Sequence, residues 1–184
     1  MMTTYDSYLG IDPGTNRTGY CFLSATGDLL AAGWIEPTGA HMGEKTQVVV
    51  MQLKQLGKEL GCYNPRVIIE APPKRWSRGA SSAHTIGILN QYFGGILGAL
   101  WANWRRVPYV APVHEARKPL NLDKAGCPKK QVLKQMTELH PEHQPSYREI
   151  TRGARKGERV LVDGELDAAD AWALARLGYV GGAK

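Results

Sequence analysis

Short apolar or alternating runs, separated by glycines, occupy the first part of the chain. Between residues 5 and 36 these runs are interrupted by Gly14, Gly19, Gly27 and Gly33. Alternation with a period of two is typical of strands, and glycine is common in the tight turns that join them. The pattern therefore predicts three short strands in an antiparallel meander.

The apolar period then changes from two to that of a helix. Between about 44 and 60, apolar residues are spaced four, three and four apart: Val49, Leu53, Leu56 and Leu60. This spacing is typical of one face of an amphipathic helix. The following run, 66–70, predicts a short buried strand. Because a helical crossover separates it from the meander, we expect this strand to pair in parallel.

A long helix is predicted after the loop 71–79, beginning at a cap on Ser81 or Ser82 and ending near Trp104. Four glycines lie inside it: Gly87, Gly94, Gly95 and Gly98. Each costs roughly 1 kcal/mol relative to alanine in a helix. Either Gly94 and Gly98 allow a close approach, within the monomer or from a second subunit, or the helix breaks near Gly94. The sequence leaves both interpretations open.

The second half of the chain continues the alternation of strands and helices. A strand is predicted at 107–112 and a short helix near 129–139. Prolines and glycines between 141 and 157 predict a polar, mobile segment, and a final helix begins near Glu165. This order predicts one α/β domain over residues 1–184, with a mixed sheet flanked by helices. It is compatible with a ribonuclease H-like arrangement.

The charge of the chain narrows the class of partner. Its 23 Lys and Arg exceed its 17 Asp and Glu, giving a formal net charge of +6. This excess favours a polyanionic partner such as nucleic acid or an acidic membrane surface. We find no secretory leader and no apolar run of the roughly 20 residues that a membrane helix requires. We therefore expect a cytoplasmic protein that has no membrane partner.

Four carboxylates stand out within this basic chain. Asp12 ends the first predicted strand, Glu70 ends the fourth, and Asp167 and Asp170 share one face of the last helix. Each acid lies near the end of a strand or helix, from which the four can be presented to one point. Magnesium prefers oxygen ligands, and a pair of ions can activate water and stabilise the leaving oxygen of a phosphodiester. The acids therefore predict a site for two Mg²⁺ ions.

Structural roles explain some of these acids when each is taken alone. Asp12 precedes Pro-Gly and is a plausible turn residue, and Asp167 suits the N-terminus of a helix. Asp170 is surrounded by alanines, Trp172 and Leu174, where an unpaired charge is costly. Glu70 follows three apolar residues. The joint arrangement favours a shared site over four separate structural roles.

Three motifs together resemble the RuvC family of Holliday junction resolvases: 9–20 (LGIDPGTNRTGY), 68–70 (IIE) and 167–175 (DAADAWALA). The resemblance spans most of the chain. It implies a ribonuclease H-like fold with a five-stranded mixed sheet, a homodimer, and paired nicking of four-way DNA junctions in recombination and repair. It implies magnesium- or manganese-dependent catalysis, with the metal-binding catalytic acids Asp12, Glu70, Asp167 and Asp170.

The resemblance also indicates basic and aromatic residues near the acids. The family's catalytic basic residue after the fifth strand corresponds best to Lys118, with Arg117 as the alternative. Lys130 resembles a second basic position, beside Lys129. The family carries an aromatic wedge after the acid of the fourth strand, where this chain instead has Pro72 and Pro73. We expect DNA contacts from the loop that follows: Lys74, Arg75, Trp76 and Arg78.

Other functions remain open from the sequence. The motif 10–15 also resembles the phosphate loop of actin-like ATPases and sugar kinases, which need two lobes and a second glycine-rich loop. Small Holliday-junction-like ribosomal RNA processing nucleases share a similar opening motif. A non-catalytic protein that binds branched DNA is a third alternative, against which the four intact acids count. The host is expected to be a bacterium or a phage-infected cell, with an organelle as the alternative.

Overall fold

The computed structural model describes residues 5–72, 83–105, 107–122 and 129–181. Seven strands are described: β1 (Ser7–Asp12), β2 (Thr18–Ser24), β3 (Leu29–Ile35), β4 (Pro65–Glu70), β5 (Tyr109–Ala111), β6 (Tyr147–Glu149) and β7 (Arg159–Leu161). The helices are α1 (Met42–Glu59), α2 (Ala83–Trp104), α3 (Val113–Arg117), α4 (Lys129–Leu139) and α5 (Gly164–Val180), and a 3-10 turn covers Lys118–Leu120.

Five strands form a mixed sheet in the order β3-β2-β1-β4-β5. β1, β2 and β3 pair antiparallel, as expected for a meander. β4 pairs in parallel with β1 and β5 in parallel with β4. The predicted five-stranded mixed sheet flanked by helices is therefore confirmed.

Helices cover both faces of this sheet. Because side chains alternate along a strand, Leu9 and Ile11 of β1 pack toward α1 and α2. The intervening Gly10 faces α5, whose backbone lies beside it. Ile68 of β4 likewise packs toward α5, in the same core as Trp172. Asp12 and Glu70 share the parity of Gly10 and Ile68, so the alternation directs both acids to the face that α5 covers.

Glycines allow α5 to approach the sheet at backbone distance. A Cβ added at Gly10 would lie 1.9 Å from the carbonyl oxygen of Ala171, and one at Gly19 would lie 2.1 Å from that of Asp167. On the helix itself, a Cβ at Gly178 would lie 2.3 Å from Ile68. The height of α5 above the sheet, and with it the position of the acids on this helix, is therefore set by residues without side chains.

α2 is continuous from Ala83 to Trp104. Of the two interpretations that the sequence left open, a break near Gly94 therefore does not occur. Gly95 serves the packing of α1 on α2, since a Cβ there would lie 2.8 Å from Thr46. Gly94 and Gly98 face the other way, where a Cβ would meet no atom of the described residues within 4 Å. The predicted caps at Ser81 and Ser82 lie outside the described residues.

The polar segment expected between 141 and 157 contains a strand, β6, that the sequence did not predict. It pairs antiparallel with β7, which follows the segment, and sets Arg148 opposite Val160. The loop closes through hydrogen bonds from Ile150 N to Glu158 O (2.9 Å) and from Gly157 N to Ile150 O (2.8 Å). Each strand has only three residues, so neither is long enough to display the period of two.

A search of the described helices finds none with the length and apolar character needed to cross a lipid bilayer.

The close approach of α5 predicts that Gly10→Ala destabilises the protein. The new methyl group would overlap the backbone of Ala171 and Ala175, which cannot rotate away. We expect the free energy of unfolding to fall by about 2 kcal/mol or more in urea titrations. Gly43→Ala is the matched control, because a Cβ there contacts nothing within 4 Å among the described residues. Equal stability of the two variants would contradict the packing argument.

Candidate active site

Two of the four predicted acids end neighbouring strands. The parallel register of β1 and β4 sets Ile11 opposite Ile69. The next residues, Asp12 and Glu70, are therefore the last residues of adjacent strands at the same level of the sheet. Their carboxyl groups lie close enough for each to shift the pKa of the other. The sheet alone thus brings together two acids that are far apart in the sequence.

The other two acids reach this pair from α5. Asp167 and Asp170 lie in its first half, three residues apart, so they project from one face of the helix. Asp170 is 3% exposed, and its charge raises the pKa values of both Asp12 and Glu70. All four predicted acids therefore lie at one edge of the sheet, beneath the N-terminal half of α5.

Lys129 lies among three of the acids. This residue begins α4, and its Nζ is 2.7 Å from Asp170 Oδ2, 3.6 Å from Asp167 Oδ1 and 3.7 Å from Asp12 Oδ2. Burial lowers the pKa of Lys129, but the neighbouring carboxylates outweigh burial and raise it above its ordinary value. The ammonium group is therefore charged and balances the acids.

Two arginines support the acids of α5 from outside the cluster. Arg117, at the end of α3, donates from Nη2 to Asp170 Oδ1 at 2.9 Å. Arg17, in the turn between β1 and β2, donates from Nε to Asp167 Oδ2 at 3.2 Å and also contacts Asp163. Each arginine orients one carboxylate. The site therefore contains three cationic side chains close to four acids.

The remaining charge is removed by protonation. Burial raises the pKa of Glu70 to about 9, and the charges of Asp12 and Asp170 act in the same direction. Burial also raises the pKa of Asp12 to about 6, while Lys129 opposes this shift. At neutral pH Glu70 is therefore mainly protonated, which lowers the negative charge of the cluster.

A small cavity opens beside Asp12 and Glu70. Its volume is about 50 Å³, enough for a few water-sized groups but not for a nucleotide. The other residues that line it are Pro13, Ala71, Pro72, Leu89 and Phe93. The last two belong to α2, so this helix supplies an apolar wall next to the acids. A large substrate must therefore approach these acids from outside the cavity.

The donor set fits a hard divalent cation, although no ready-made ligand geometry is present. Within the described residues, no three acidic, histidine or cysteine side chains form a group able to hold an ion. The four acids nevertheless supply only oxygen, which magnesium prefers. Asp170 Oδ2 is buried and accepts no hydrogen bond of ordinary geometry from the described residues, although Lys129 lies close to it. The buried carboxylate of Asp170 is therefore stable only with a positive charge beside it.

The predicted basic residues separate into distinct places. Arg117 and Lys129 lie against the acids, whereas Lys130 lines a groove beside α4. Lys118 lines a cavity with Arg66 and the end of α5, about ten residues along the helix from Asp167. Among the described residues, no hydrogen bond or ion pair joins Lys118 to the acids. The predicted DNA-binding residues Lys74, Arg75, Trp76 and Arg78 lie outside the described residues.

Sequence reasoning missed the roles of Arg17 and Phe93 near the acids. Arg17 follows Asp12 by five residues, within the same turn-containing motif, and this proximity was the available signal. Phe93 lies in the middle of α2, where its apolar character indicates only a helix core. Its place beside Asp12 depends on how α2 packs against the sheet, which the pattern of α2 does not reveal.

Comparison with solved structures identifies the class of fold. The chain is similar to Thermus thermophilus RuvC, with a TM-score of 0.61 and 16% identity over 95% of each chain. It is also similar to T. thermophilus RuvC in complex with Holliday junction substrate (TM-score 0.62, 14% identity, 95% of this chain and 94% of that chain). The fold is therefore ribonuclease H-like, and the resemblance to RuvC is confirmed at the level of the fold.

A third similar structure is the yeast mitochondrial Holliday junction resolvase Ydc2, with a TM-score of 0.56 and 16% identity over 97% of this chain and 80% of that chain. No protein-family model and no curated protein sequence matches this chain. The likeness to these junction resolvases thus lies in the fold. The four acids are a separate observation, which concerns the chemistry of the site.

The raised pKa values of Asp12 and Glu70 predict the pH dependence of stability without metal. A carboxyl with a raised folded-state pKa stabilises the fold below its ordinary pKa, and this contribution is lost as the pH rises through the folded value. The loss extends from 3.8 to about 6 for Asp12 and from 4.5 to about 9 for Glu70. In EDTA, we therefore expect the Tm of the wild type to fall between about pH 5 and pH 9.

Glu70→Gln should lose less stability over this range, because the variant has no carboxyl to ionise at position 70. We expect the two Tm profiles to diverge by ~3 °C or more, since one pKa unit corresponds to ~1.4 kcal/mol. Thermal unfolding followed by circular dichroism measures both profiles. Glu36→Gln, at an exposed position, is the matched control. Parallel profiles of wild type and Glu70→Gln would show that Glu70 ionises normally.

Proposed function

We propose that this chain is a magnesium-dependent endonuclease that resolves four-way DNA junctions by paired, symmetric nicks. The observation that carries the proposal is the convergence of four acids from β1, β4 and α5 at one edge of a ribonuclease H-like sheet. The substrate is inferred from the similar structures, one of which is a RuvC complex with Holliday junction substrate. The net charge of +6 favours the same polyanionic class of partner.

The residues that would hold one or two Mg²⁺ or Mn²⁺ ions are Asp12, Glu70, Asp167 and Asp170. A metal held by these acids would supply the chemistry that activates water for attack on a phosphodiester and stabilises the leaving oxygen. Binding of the metal would require two changes at the site. Glu70 would lose its proton, and the ammonium group of Lys129 would move away from the acids.

Lys129 is suited to such a movement. Its side chain is 45% exposed, whereas its partner Asp170 is 3% exposed, so the ammonium group reaches the acids from the solvent side. A flexible lysine stem can turn the charge toward solvent without moving α4. In the substrate complex, Lys129 then contacts an oxygen of the phosphate that is cut.

Arg117 and Arg17 act as positioning residues in this proposal. Arg117 is 12% exposed and fixes the carboxylate of Asp170, while Arg17 fixes that of Asp167. We assign the catalytic cation to Lys129, not to Lys118, because Lys129 contacts three of the acids. Arg117 is the basic residue after the fifth strand that reaches the site.

A four-way junction has approximate two-fold symmetry, which a symmetric dimer can match with two sites. We propose that the dimer forms through α2. Gly87, Gly94 and Gly98 lie on exposed positions of this helix, and Trp101 is 48% exposed on the same helix. Since Gly95 already serves α1, the outward glycines leave space for the backbone of a second subunit.

Cleavage assays test the activity directly. We expect protein with Mg²⁺ to nick a four-way junction symmetrically and to leave duplex DNA, single strands and structured RNA intact. Asp170→Asn should lower the cleavage rate by about 1,000-fold, because loss of one metal ligand removes several kcal/mol of transition-state stabilisation. Junction affinity should remain close to that of the wild type.

Asp28→Asn, in the exposed turn between β2 and β3, is the matched control and should cleave like the wild type. Preferential cutting of structured RNA would instead favour a ribonuclease of the same fold. Tight junction binding without cleavage at any Mg²⁺ or Mn²⁺ concentration would favour a non-catalytic binder of branched DNA.

Gly94→Leu tests the dimer. A leucine at this outward position should prevent close approach of a second α2, and sedimentation velocity should show the variant as a monomer at micromolar concentration where the wild type is a dimer. Gln52→Leu, an equally apolar change on the exposed face of α1, should remain dimeric. A monomeric wild type would refute the proposed interface.

A further inference from the structure

A groove with basic walls lies outside the cluster of acids, between α4 and the β6–β7 hairpin. Its volume is about 650 Å³. Basic side chains dominate its charged lining within the described residues: Lys130 and Lys134 on α4, and Arg155 and Arg159 on the hairpin, with Asp163 at one end. We refer to this feature as the hairpin groove. Its charge is complementary to a phosphate backbone.

The four basic side chains differ in how far they are already neutralised. Lys134 and Arg155 are near glutamates, Glu138 at 3.6 Å and Glu158 at 2.7 Å. Lys130 and Arg159 have no carboxylate within ion-pair distance among the described residues. Their charges are therefore available to an anionic partner.

Arg159 is ordered by an aromatic ring instead of an acid. Its guanidinium carbon lies 5.3 Å from the centre of the Tyr147 ring. A cation–π contact restrains the side chain without cancelling its charge. The same contact covers one face of Tyr147, so the ring is a poor platform for stacking an unpaired base. These properties favour a phosphate backbone over the bases of a single strand.

The hairpin is fixed to the helix that carries two of the acids. Glu165 of α5 is 3% exposed and accepts a hydrogen bond from Ser146 N at 2.8 Å. Its other carboxylate oxygen is 3.2 Å from His143 Nε2. The wall of the hairpin groove is thus tied directly to the N-terminal turn of α5. Its distance from Asp167 and Asp170 is therefore set by the fold.

The hairpin groove is also connected to the acids, through ion pairs on one wall and through neighbouring lysines on the other. Asp163 at its end contacts Arg17 at 3.5 Å, and Arg17 in turn contacts Asp167 at 3.2 Å. On the opposite wall, Lys130 directly follows Lys129, which lies among the acids. A nucleic-acid strand whose phosphate is cut at the acids therefore has a basic path leading away from them.

We propose that the hairpin groove binds the sugar–phosphate backbone of a duplex DNA arm next to the cleavage site. This inference rests on the proposed nuclease function and adds to it a second contact surface, built by the hairpin. Phosphate contacts of this kind fix the orientation of a duplex without reading its sequence. The groove thus orients an arm while the acids act on the strand that crosses them.

Binding measurements in EDTA test the hairpin groove without cleavage of the DNA, because EDTA removes the divalent metal. The probes are a duplex of about 25 base pairs, a four-way junction with arms of similar length, and a single strand of the same length. Lys130→Gln/Arg159→Gln should weaken binding of duplex and junction roughly 10-fold near physiological salt. It should also lower the slope of log Kd against log salt by about 1.8, since each lost contact with B-form DNA contributes about 0.9.

The matched control is Arg152→Gln/Lys156→Gln, which removes the same charge from exposed positions at the tip of the same hairpin, outside the groove lining. It should retain nearly the wild-type slope. Equal losses in both double variants, an unchanged slope in the groove variant, or a wild-type preference for the single strand would each overturn the proposal. Circular dichroism of each variant confirms that it is folded.

The duplex data also distinguish this proposal from the proposed function. Failure of the wild type to cut junctions, with an intact difference between the two double variants on duplex DNA, would refute junction resolution and leave the hairpin groove supported. Normal junction cleavage by the wild type, with no difference between the variants, would refute only the groove.

Discussion

The crowding of four carboxylates at one edge of the sheet is the constraint on which the site depends. Buried negative charges in such proximity are unstable without compensation. In this structure the compensation has two forms. Lys129, Arg17 and Arg117 supply three positive charges, and Glu70 retains a proton because its pKa is raised to about 9. The cluster is therefore close to neutral, with three positive side chains and one proton offsetting the four acids.

This electrostatic arrangement requires a short distance between α5 and the sheet. Gly10 and Gly19 provide that distance, because the backbone of α5 occupies the space where their side chains would lie. A larger residue at either position would raise the helix and move Asp167 and Asp170 away from the ends of β1 and β4. The same packing buries Trp172 and the alanines of α5, so the hydrophobic core and the acidic site share one structural basis.

Basic residues around the acids fall into three groups with different physical roles. Arg117 and Arg17 each hold one carboxylate of the cluster, that of Asp170 and that of Asp167. Lys129 is shared among three of the acids, and Lys130 and Arg159 have no acidic partner in the described part of the chain. This gradation follows distance from the acids. The cations at the centre are therefore paired with acids, whereas those at the periphery are not.

The sequence determined most of the sheet and the identity of the acids. Alternating runs fixed the meander, the crossover before residues 66–70 indicated parallel pairing, and the spacing of Asp167 and Asp170 placed them on one helical face. These features are local, or depend on the general rules of chain connection, so they are readable from the pattern alone. The continuity of α2 could not be predicted from the pattern, because glycine lowers helix propensity while tertiary packing around Gly95 stabilises the helix.

Only the tertiary structure decided which basic residues meet the acids and what surrounds them. Lys118 and Arg117 are adjacent in sequence, yet the turn that follows α3 directs them to different places, and Lys129 reaches the site because α4 packs on α5. The three-residue strands of the hairpin are too short to carry a periodic signal, and their position depends on Glu165. Strands, helices and the acids within motifs can be recognised from the residues next to them in the sequence. Residues whose roles depend on long-range contacts cannot, because those contacts form only in the folded chain.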